Sequence, residues 1–345
     1  METLNSKEKI LFIQTAFLGD AILTLPALQK LKEKFPDSLI DVLCIPETSE
    51  VFKASDCVDN VIILDKRNEH KSIFRAYKFA QKLKLNRYTK IYSSHRSFRT
   101  AFIVLLLEVR ESYGFDNSAL FHVYKNLIHY ELSKHEVQRN LDLIGFAYNQ
   151  DNWRIMPGIK ISTDTKEKID SFLIQNKIDN GFIVIAPGSV WNTKKYPLNY
   201  FEQIIEELLN KNYKIVLIGG KSDFEECELI AKKFNGKVIN TSGIFSVVES
   251  IQLIKNSTLM LTNDSAPTHM AMCVDIKTIT IYCSTVPEFG FYPYNKKSVS
   301  ISYSELKCKP CGIHGYEVCP IKSFECGYKV LPQEVIKKTE EIISE

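Results

Sequence analysis

The sequence of 345 residues lacks any apolar run of the roughly 18 to 20 residues that a helix needs to cross a bilayer. Its first residues, Met1 to Glu8, are polar and lead directly into a strand-like run, which argues against a signal peptide. Two nucleotide-binding patterns are also missing, because GxGxxG does not follow the first strand of either half and GxxxxGK[ST] does not occur. These absences argue against a nicotinamide-dependent Rossmann enzyme and a P-loop ATPase, and we expect a cytoplasmic protein.

The net charge of +3 is too small to indicate nucleic acid as the main partner. Basic residues are nevertheless concentrated in one part of the first half. They are Lys66, Arg67, His70, Lys71, Arg75, Lys78, Lys82, Lys84, Arg87 and Lys90. Two interpretations remain open for this group: a solvated helix face, or a surface that meets an anionic lipid or an anionic glycan.

Short apolar runs alternate with helical patterns along the chain. The strand-like runs are 9–13, 39–44, 61–64, 90–93, 182–186, 214–220, 238–239, 258–261 and 277–282. The helical patterns are 21–31, 73–85, 134–146, 200–209, 224–234, 247–254 and 334–343. This alternation predicts an α/β protein whose parallel sheets are covered by helices on both faces. The polar stretch 149–164 interrupts it, which predicts two doubly wound domains, residues 1–160 and 161–345, facing a common cleft.

The segment from Asn263 to Met272 has the features of a binding element. It follows a strand-like run, it begins with residue types that are common before a helix, and Pro267 falls near the predicted first turn. A helix that starts at the carboxyl end of a strand presents free N–H groups and the positive end of its dipole to an anion. The segment therefore predicts a phosphate site.

Two further strand ends carry polar residues. Asp20, after Gly19, is either the N-cap of the next helix or a general base at the end of its strand. The loop 187–197 combines small residues, which let a ligand approach the backbone, with lysines that can neutralise phosphate. The paired glycines Gly219 and Gly220 mark another place where a ligand can approach the backbone closely.

Three segments resemble motifs of glycosyltransferase family 9, the ADP-heptose:lipopolysaccharide heptosyltransferases. They are QTAFLGDAILTLPAL at 14–28, APGSVWNTKKYP at 186–197 and TNDSAPTHMA at 262–271. The second is more similar to the heptosyltransferase II branch than to the heptosyltransferase I branch. The resemblance implies the GT-B fold, with an acceptor-binding N-terminal domain and a nucleotide-sugar-binding C-terminal domain, both Rossmann-like.

The resemblance also implies roles for individual residues. Asp20 matches the base that takes a proton from the acceptor hydroxyl, and Lys194 matches a lysine that contacts phosphate, with Tyr196 where the family usually has Trp. The remaining implied donor-binding residues are Ser189, Thr193, Asp264, Ser265, Ala266 and His269. Glu225 or Glu226 lies near the acidic position that binds ribose, and the register between them stays open.

Acceptor contacts are implied for two segments. His95 to Thr100 resembles a loop that faces the acceptor, and Arg96 and Arg99 are suited to bidentate recognition of the carboxylates and phosphates of a lipopolysaccharide inner core. A helix start with exposed charges is the alternative. His135 and Arg139, in a segment similar to H-E-x-x-R, are further candidate acceptor contacts.

Nine cysteines include a cluster near the C-terminus, Cys308, Cys311, Cys319 and Cys326. Four cysteines in so short a span are compatible with a structural zinc site, although their spacing is not that of a zinc ribbon or a ferredoxin. Reduced thiols or disulfides are the alternatives.

The function implied by the resemblance is an inverting transfer of heptose from ADP-heptose to a lipopolysaccharide inner-core acceptor, with no cofactor required for catalysis. Such an acceptor would bring the protein to the inner membrane as a peripheral enzyme. Two alternatives remain open: a GT-B enzyme for another nucleotide sugar and glycan, and a non-catalytic two-lobed protein that binds nucleotides or sugars.

Overall fold

The computed structural model describes residues 7–178 and 181–344 and divides into two compact units, Met1–Lys160 and Ile161–Glu345. The prediction for Met1 to Glu8 therefore lies mostly outside the described residues. Each unit is built on one six-stranded parallel sheet with helices. The predicted α/β class with two Rossmann-like domains, the GT-B fold, is confirmed.

The first unit has the strand order 3-2-1-4-5-6 that is typical of doubly wound domains. Its strands are β1 (Lys9–Ile13), β2 (Leu39–Cys44), β3 (Asn60–Ile63), β4 (Lys90–Ser93), β5 (Glu111–Phe115) and β6 (Asn126–Ile128). Its helices are α1 (Leu18–Lys34), α2 (Ser49–Lys53), α3 (Ile73–Lys84), α4 (Phe98–Leu107) and α5 (Glu136–Leu143).

The second unit repeats this order, with its six strands arranged β12-β11-β10-β7-β8-β9. The strands are β7 (Ile183–Ala186), β8 (Ile215–Leu217), β9 (Val238–Asn240), β10 (Leu259–Asn263), β11 (Thr278–Tyr282) and β12 (Val299–Ser302). The helices are α6 (Thr163–Gln175), α7 (Leu198–Asn210), α8 (Phe224–Lys233), α9 (Val247–Lys255), α10 (Ala266–Met272), α11 (Glu325–Tyr328) and α12 (Pro332–Ser344).

The central strands are apolar along their length because helices cover both faces of each sheet. The last four residues of β1 and all five of β10 are buried. On α3 the buried residues Ala76, Ala80 and Leu83 follow helical spacing and face the core of their own unit. In both units this arrangement brings the carboxyl ends of neighbouring parallel strands to one edge of the sheet.

Several elements lack a clear sequence pattern. β5, β6 and β12 are short and partly exposed, so they show no sustained apolar run. α4 is apolar nearly all round and therefore lacks the polar face that marks a surface helix. No helix among the described residues is long and apolar enough to cross a membrane.

Candidate active site

Asp20 lies in the first turn of α1, the helix that follows the carboxyl end of β1 after a short loop. The helix begins three residues earlier than predicted, and its N-cap is Phe17, so the interpretation of Asp20 as the N-cap is wrong. The residue as a whole keeps some exposed surface, but withdrawal of its carboxyl group from water raises the pKa from 3.8 to about 7. The negative charge of Glu136 raises the pKa further, whereas backbone hydrogen bonds and the Arg96 guanidinium oppose the shift.

Glu136 is the residue that the sequence patterns do not identify in this part of the site. It is 4% exposed, and its Oε2 accepts hydrogen bonds from Arg139 Nη1 at 2.9 Å and from the Tyr130 hydroxyl at 3.2 Å. These two donors hold the carboxylate in one position on α5. A signal was present in the sequence, because Glu136 is the acidic member of the segment similar to H-E-x-x-R.

The predicted acceptor contacts His135 and Arg139 are each 1% exposed. His135 is the N-cap of α5, and its Nδ1 accepts a hydrogen bond from the Val137 amide at 3.2 Å. Arg139 also donates to the carbonyls of Glu131 at 2.9 Å and Leu132 at 2.7 Å. The two side chains therefore support α5 and Glu136 and present almost no surface to an acceptor.

The predicted arginines of the segment 95–100 have different environments. The Arg96 guanidinium lies 4.0 Å from the centroid of the Tyr130 ring, next to the Asp20 and Glu136 charges. Arg99 donates to the carbonyls of His70 at 2.7 Å and Lys71 at 2.8 Å. Arg99 therefore fastens the loop before α3 to the start of α4, and the alternative of simply exposed charges does not describe it.

His95 anchors the same strand end. Its Nδ1 lies 2.8 Å from the Thr15 hydroxyl and 2.9 Å from the Thr100 hydroxyl. Burial, followed by the charges of Lys66 and Arg96, lowers the pKa of His95 to about 4. The imidazole is therefore neutral at physiological pH and acts as a hydrogen-bonding link between β1 and α4.

In the second unit, the structure brings together Lys194 and Asp264 from two of the predicted segments. Lys194 ends a short 3-10 turn, Asn192–Lys194, and its Nζ lies 2.6 Å from Asp264 Oδ2. The same oxygen accepts a hydrogen bond from the Thr285 hydroxyl at 2.6 Å. Both charged side chains are mostly buried, so the ammonium is held in place and only weakly screened by water. This arrangement fixes the Lys194 ammonium group, paired with a carboxylate, at the end of β10.

Asn263 and Thr193 position the loop that carries Lys194. The fully buried Asn263 side chain accepts from the Tyr196 amide at 2.9 Å and donates to the Pro187 carbonyl at 2.6 Å. The Thr193 hydroxyl donates to Ser284 at 3.0 Å and accepts from the Tyr316 amide at 2.7 Å. Thr193 is therefore a loop anchor, because its hydroxyl is occupied within the protein.

Tyr196, which replaces the Trp of the family pattern, is 1% exposed and lies in the core of the second unit. Its hydroxyl donates to the Val330 carbonyl at 2.8 Å. The phenol thus meets the requirement that a buried polar group be hydrogen-bonded. The substitution keeps an aromatic side chain at this position.

The predicted helix start after β10 is present as α10, whose N-cap position is occupied by Ser265. The Ser265 side chain does not cap the helix; its hydroxyl donates to the Asn263 carbonyl at 3.3 Å. Asp264 does not cap it either, since its carboxylate pairs with Lys194. Ser265, Ala266 and Pro267 are the residues of this turn that keep some exposed surface, as does Ser189 on the neighbouring loop.

His269 is 3% exposed, and its Nδ1 is buried without a hydrogen-bond partner. Burial lowers the pKa of His269 to about 4, with Asp264 acting to raise it and Lys194 to lower it. The ring is therefore neutral and can offer a hydrogen bond but no charge. A buried nitrogen without a hydrogen-bond partner costs free energy of folding. A ligand that formed a hydrogen bond with His269 would remove that cost.

Asp223 is a carboxylate at the ends of β7 and β8 that the sequence patterns do not identify. Its Oδ2 accepts a hydrogen bond from the Gly220 amide at 2.8 Å. A Cβ on Gly188 would lie 2.5 Å from the Asp223 Cγ, and a Cβ on Gly219 would lie 2.7 Å from the Asp223 Cβ. The two glycines therefore provide the space in which this carboxylate packs. In the sequence, the signal for this carboxylate was the pair of glycines after β8, Gly219 and Gly220.

The two acidic residues predicted near this position follow Asp223 in the first turn of α8. Glu225 is exposed. Glu226 forms an ion pair with Lys195 at 2.8 Å. Neither approaches Gly188 and Gly219 in the way that Asp223 does.

The cysteine cluster is spread between the surface and the core. Cys308 is exposed, Cys326 is 6% exposed within the core of the second unit, and all four cysteines are free. Within residues 7–178 and 181–344, no three His, Cys, Asp or Glu side chains are grouped so that they could hold a metal ion. The predicted zinc site at Cys308, Cys311, Cys319 and Cys326 is therefore not supported.

Comparison with known proteins identifies the family. Residues 76–316 match the profile of glycosyltransferase family 9 (heptosyltransferase). The chain is 24% identical to lipooligosaccharide heptosyltransferase 2 of Campylobacter jejuni, over 97% of this chain and 98% of that protein.

Two solved structures have the same fold. One is a glycosyltransferase family 9 protein from Veillonella parvula, with a TM-score of 0.83, 19% identity and 99% of each chain covered. The other is ADP-heptose lps heptosyltransferase II of E. coli, with a TM-score of 0.78, 19% identity, and 97% of this chain and 98% of that chain covered. Because the family profile spans well over half of the sequence, the chain belongs to glycosyltransferase family 9 and is a glycosyltransferase.

Proposed function

We propose that this enzyme transfers a heptose from ADP-heptose to a sugar hydroxyl of a lipopolysaccharide inner core, with inversion at the anomeric carbon. The observation that carries the proposal is the environment of Asp20, a carboxyl group with a pKa near 7 at the position that the family motif assigns to the base. A base with such a pKa is deprotonated in a useful fraction of molecules at neutral pH and still accepts a proton readily. The names of the relatives support the donor and the acceptor.

In the proposed reaction, Asp20 accepts the proton of the acceptor hydroxyl while the hydroxyl oxygen forms a bond to the anomeric carbon of the heptose. The bond between that carbon and the ADP oxygen breaks, and ADP leaves with the electron pair. Attack from the face opposite ADP inverts the configuration. The mechanism involves no cofactor, and the protein contributes a positioned base and fixed positive charge.

We assign donor binding to the second unit. Lys194, held by Asp264, supplies the charge that stabilises the leaving diphosphate, and neutral His269 offers it a hydrogen bond. The backbone and side chains of Ser189, Ser265 and Ala266 form the partly exposed turns beside this charge. We assign ribose binding to Asp223 instead of Glu225 or Glu226, because it lies against the glycines at the strand ends.

We assign acceptor binding to the first unit, with Arg96 as the contact for an inner-core carboxylate or phosphate. Arg96 is partly exposed and adjacent to Asp20, whereas Arg99, His135 and Arg139 hold the surrounding loops. A lipid-linked acceptor of this kind would place the enzyme in the cytoplasm at the inner face of the inner membrane.

The test compares Asp20→Ala with Glu33→Ala, a change of an exposed carboxylate on the same helix. We expect Asp20→Ala to lower kcat by about 10²- to 10⁴-fold, the usual contribution of a general base, and to leave ADP affinity nearly unchanged. Normal turnover of Asp20→Ala would remove Asp20 from the role of base.

Side-by-side assays with ADP-heptose, UDP-sugars and GDP-sugars, read by mass spectrometry, test the donor. Faster turnover of a UDP- or GDP-sugar would favour another glycosyltransferase activity. An intact donor after long incubation with acceptor would favour a non-catalytic binding protein.

A further inference from the structure

Large apolar side chains are exposed at the N-terminal ends of α3 and α4. Phe74 is 61% exposed, Ile73 56% and Phe98 53%. Tyr77 is also exposed, and the ring of Phe102 stacks on that of Phe98 with centroids 6.4 Å apart. We call these five residues, together with the basic residues Arg75, Lys78 and Arg99 on the same two helices, the α3/α4 surface. Large apolar patches on a protein surface mark sites that interact with proteins, membranes or ligands.

The two helices present one continuous surface. α3 packs against α4, and Arg99 in the first turn of α4 donates to the Lys71 carbonyl just before α3 at 2.8 Å. The exposed ends of the two helices are therefore fixed side by side. They lie at the carboxyl edge of the sheet, since α4 follows β4, and β4 pairs in parallel with β1, which leads to Asp20. The surface is thus at the same edge of the first unit as the proposed base.

The charge on the two helices and on the chain between them is of one sign. From residue 70 to residue 107 the sequence contains nine Lys or Arg and no Asp or Glu. Neither helix has an acidic residue in its first turn, and Arg75 and Arg99 stand there although the positive end of the helix dipole disfavours cations. The Lys78 ammonium lies 4.6 Å from the centroid of the Phe74 ring, so basic and aromatic groups are interleaved.

We propose that the α3/α4 surface binds a bilayer that contains anionic phospholipid. Aromatic side chains are favoured at the boundary between headgroups and acyl chains, and lysine and arginine side chains extend from there to the lipid phosphates. The absence of any acidic residue over residues 70–107 is complementary to an anionic lipid surface. The inference rests on the proposed function in one respect: a lipid-linked acceptor would be reached from a membrane-bound enzyme.

The test is sedimentation of the full-length protein with vesicles of phosphatidylcholine alone or mixed with phosphatidylglycerol. We expect binding to the mixed vesicles that weakens as salt is added. The variant Phe74→Ser/Lys78→Gln should bind at least about tenfold more weakly, since it loses one aromatic anchor and one charge at the membrane.

The matched control is Ile174→Ser/Lys166→Gln, which makes the same kinds of change on α6, where Ile174 is 77% exposed and Lys166 is exposed. Its vesicle binding should equal that of the unmodified protein. Circular dichroism melting of both variants shows whether either has lost its fold. If the unmodified protein does not bind the mixed vesicles, or the two variants lose binding equally, the proposal is wrong.

Two measurements separate this proposal from its rivals. If Phe74→Ser/Lys78→Gln changes the oligomeric state in gel filtration and leaves vesicle binding intact, the surface is an interface between copies of the chain. Turnover on an inner-core acceptor stripped of its acyl chains tests the proposed function alone. Retained turnover without vesicle binding would overturn only the docking surface, and vesicle binding without any turnover would overturn only the proposed function.

Discussion

At the scale of single residues, the chemistry proposed for the first unit depends on the charges around Asp20. Burial alone would favour the protonated acid, and Glu136 adds to that tendency, while Arg96 limits it. The resulting pKa near 7 suits a base that works at neutral pH. Glu136 is itself fixed by Arg139 and Tyr130, so the pKa of Asp20 depends on a small network rather than on one contact.

The change Glu136→Gln should shift the acidic limb of the kcat profile to lower pH. Asp20 must be deprotonated to act as a base, so the rate falls as pH drops below its pKa of about 7. Removing the negative charge of Glu136 makes the Asp20 carboxylate easier to form, and the limb should move down by roughly 0.5 to 1 pH unit. The measurement is kcat between pH 5 and 9.

Glu131→Gln is the control, because it removes an equal charge from the loop just before α5 and Glu131 does not contribute to the pKa shift of Asp20. Its acidic limb should coincide with that of the unmodified enzyme. An unchanged limb in Glu136→Gln, with the fold intact by thermal melting, would show that Glu136 does not tune the base.

At the scale of elements, the proposed donor site is built from strand ends that supply glycines and turns that supply charged groups. Gly188 lies in the loop after β7 and Gly219 in the loop after β8, and both leave room for Asp223 from the turn before α8. Asn263 at the end of β10 ties the loop after β7 to its own strand. The loop positions are therefore set by contacts among three neighbouring strands.

Replacing Asp223 with Ala should weaken ADP binding by about tenfold or more, because hydrogen bonds to a charged group are worth about 1.5 to 3 kcal/mol. Glu225→Ala, which removes an exposed carboxylate two residues away, should leave ADP affinity within about twofold. Isothermal titration calorimetry with ADP measures both. A larger loss of ADP affinity in Glu225→Ala than in Asp223→Ala would instead assign the ribose contact to Glu225 on α8.

The residue patterns predict most of the strands and helices, and the motifs that resemble the family contain Asp20, Lys194 and Asp264. These features have local causes: apolar periodicity, turn residues and family motifs are all readable over a few neighbouring positions. The sequence marks Glu136 and Asp223 only indirectly, through the segment similar to H-E-x-x-R and the paired glycines, because the groups that these carboxylates contact are set by the folded unit. His135 and Arg139 carry the right side chains for an acceptor, but their burial is a property of the folded unit.

At the scale of the whole molecule, two units with the same strand order divide the proposed work between them. The acceptor and the base are assigned to the first unit and the nucleotide to the second. Ligand binding stabilises the part of a protein that it contacts, by about 2.7 kcal/mol at a ligand concentration one hundred times the Kd.

Hydrogen exchange with saturating ADP should therefore be slowed mainly in the second unit. We expect slower exchange, by up to about a hundredfold, in peptides that cover 187–194 and 263–269. Peptides from 98–107 on α4, in the first unit, serve as the internal control and should change little. Protection confined to the first unit would contradict the assignment of the donor to the second.

The sequence by itself determined the class of this protein: two parallel α/β halves, a strand end with Asp20, and a lysine and an aspartate in motifs of one glycosyltransferase family. Those properties depend on residues close together in the chain. Only the tertiary structure decided which groups share a site. It set Glu136 near Asp20 and Asp223 against Gly188, and it buried His135 and Arg139. The physical reason is that charge interaction and desolvation depend on distance through space, which the order of residues does not state.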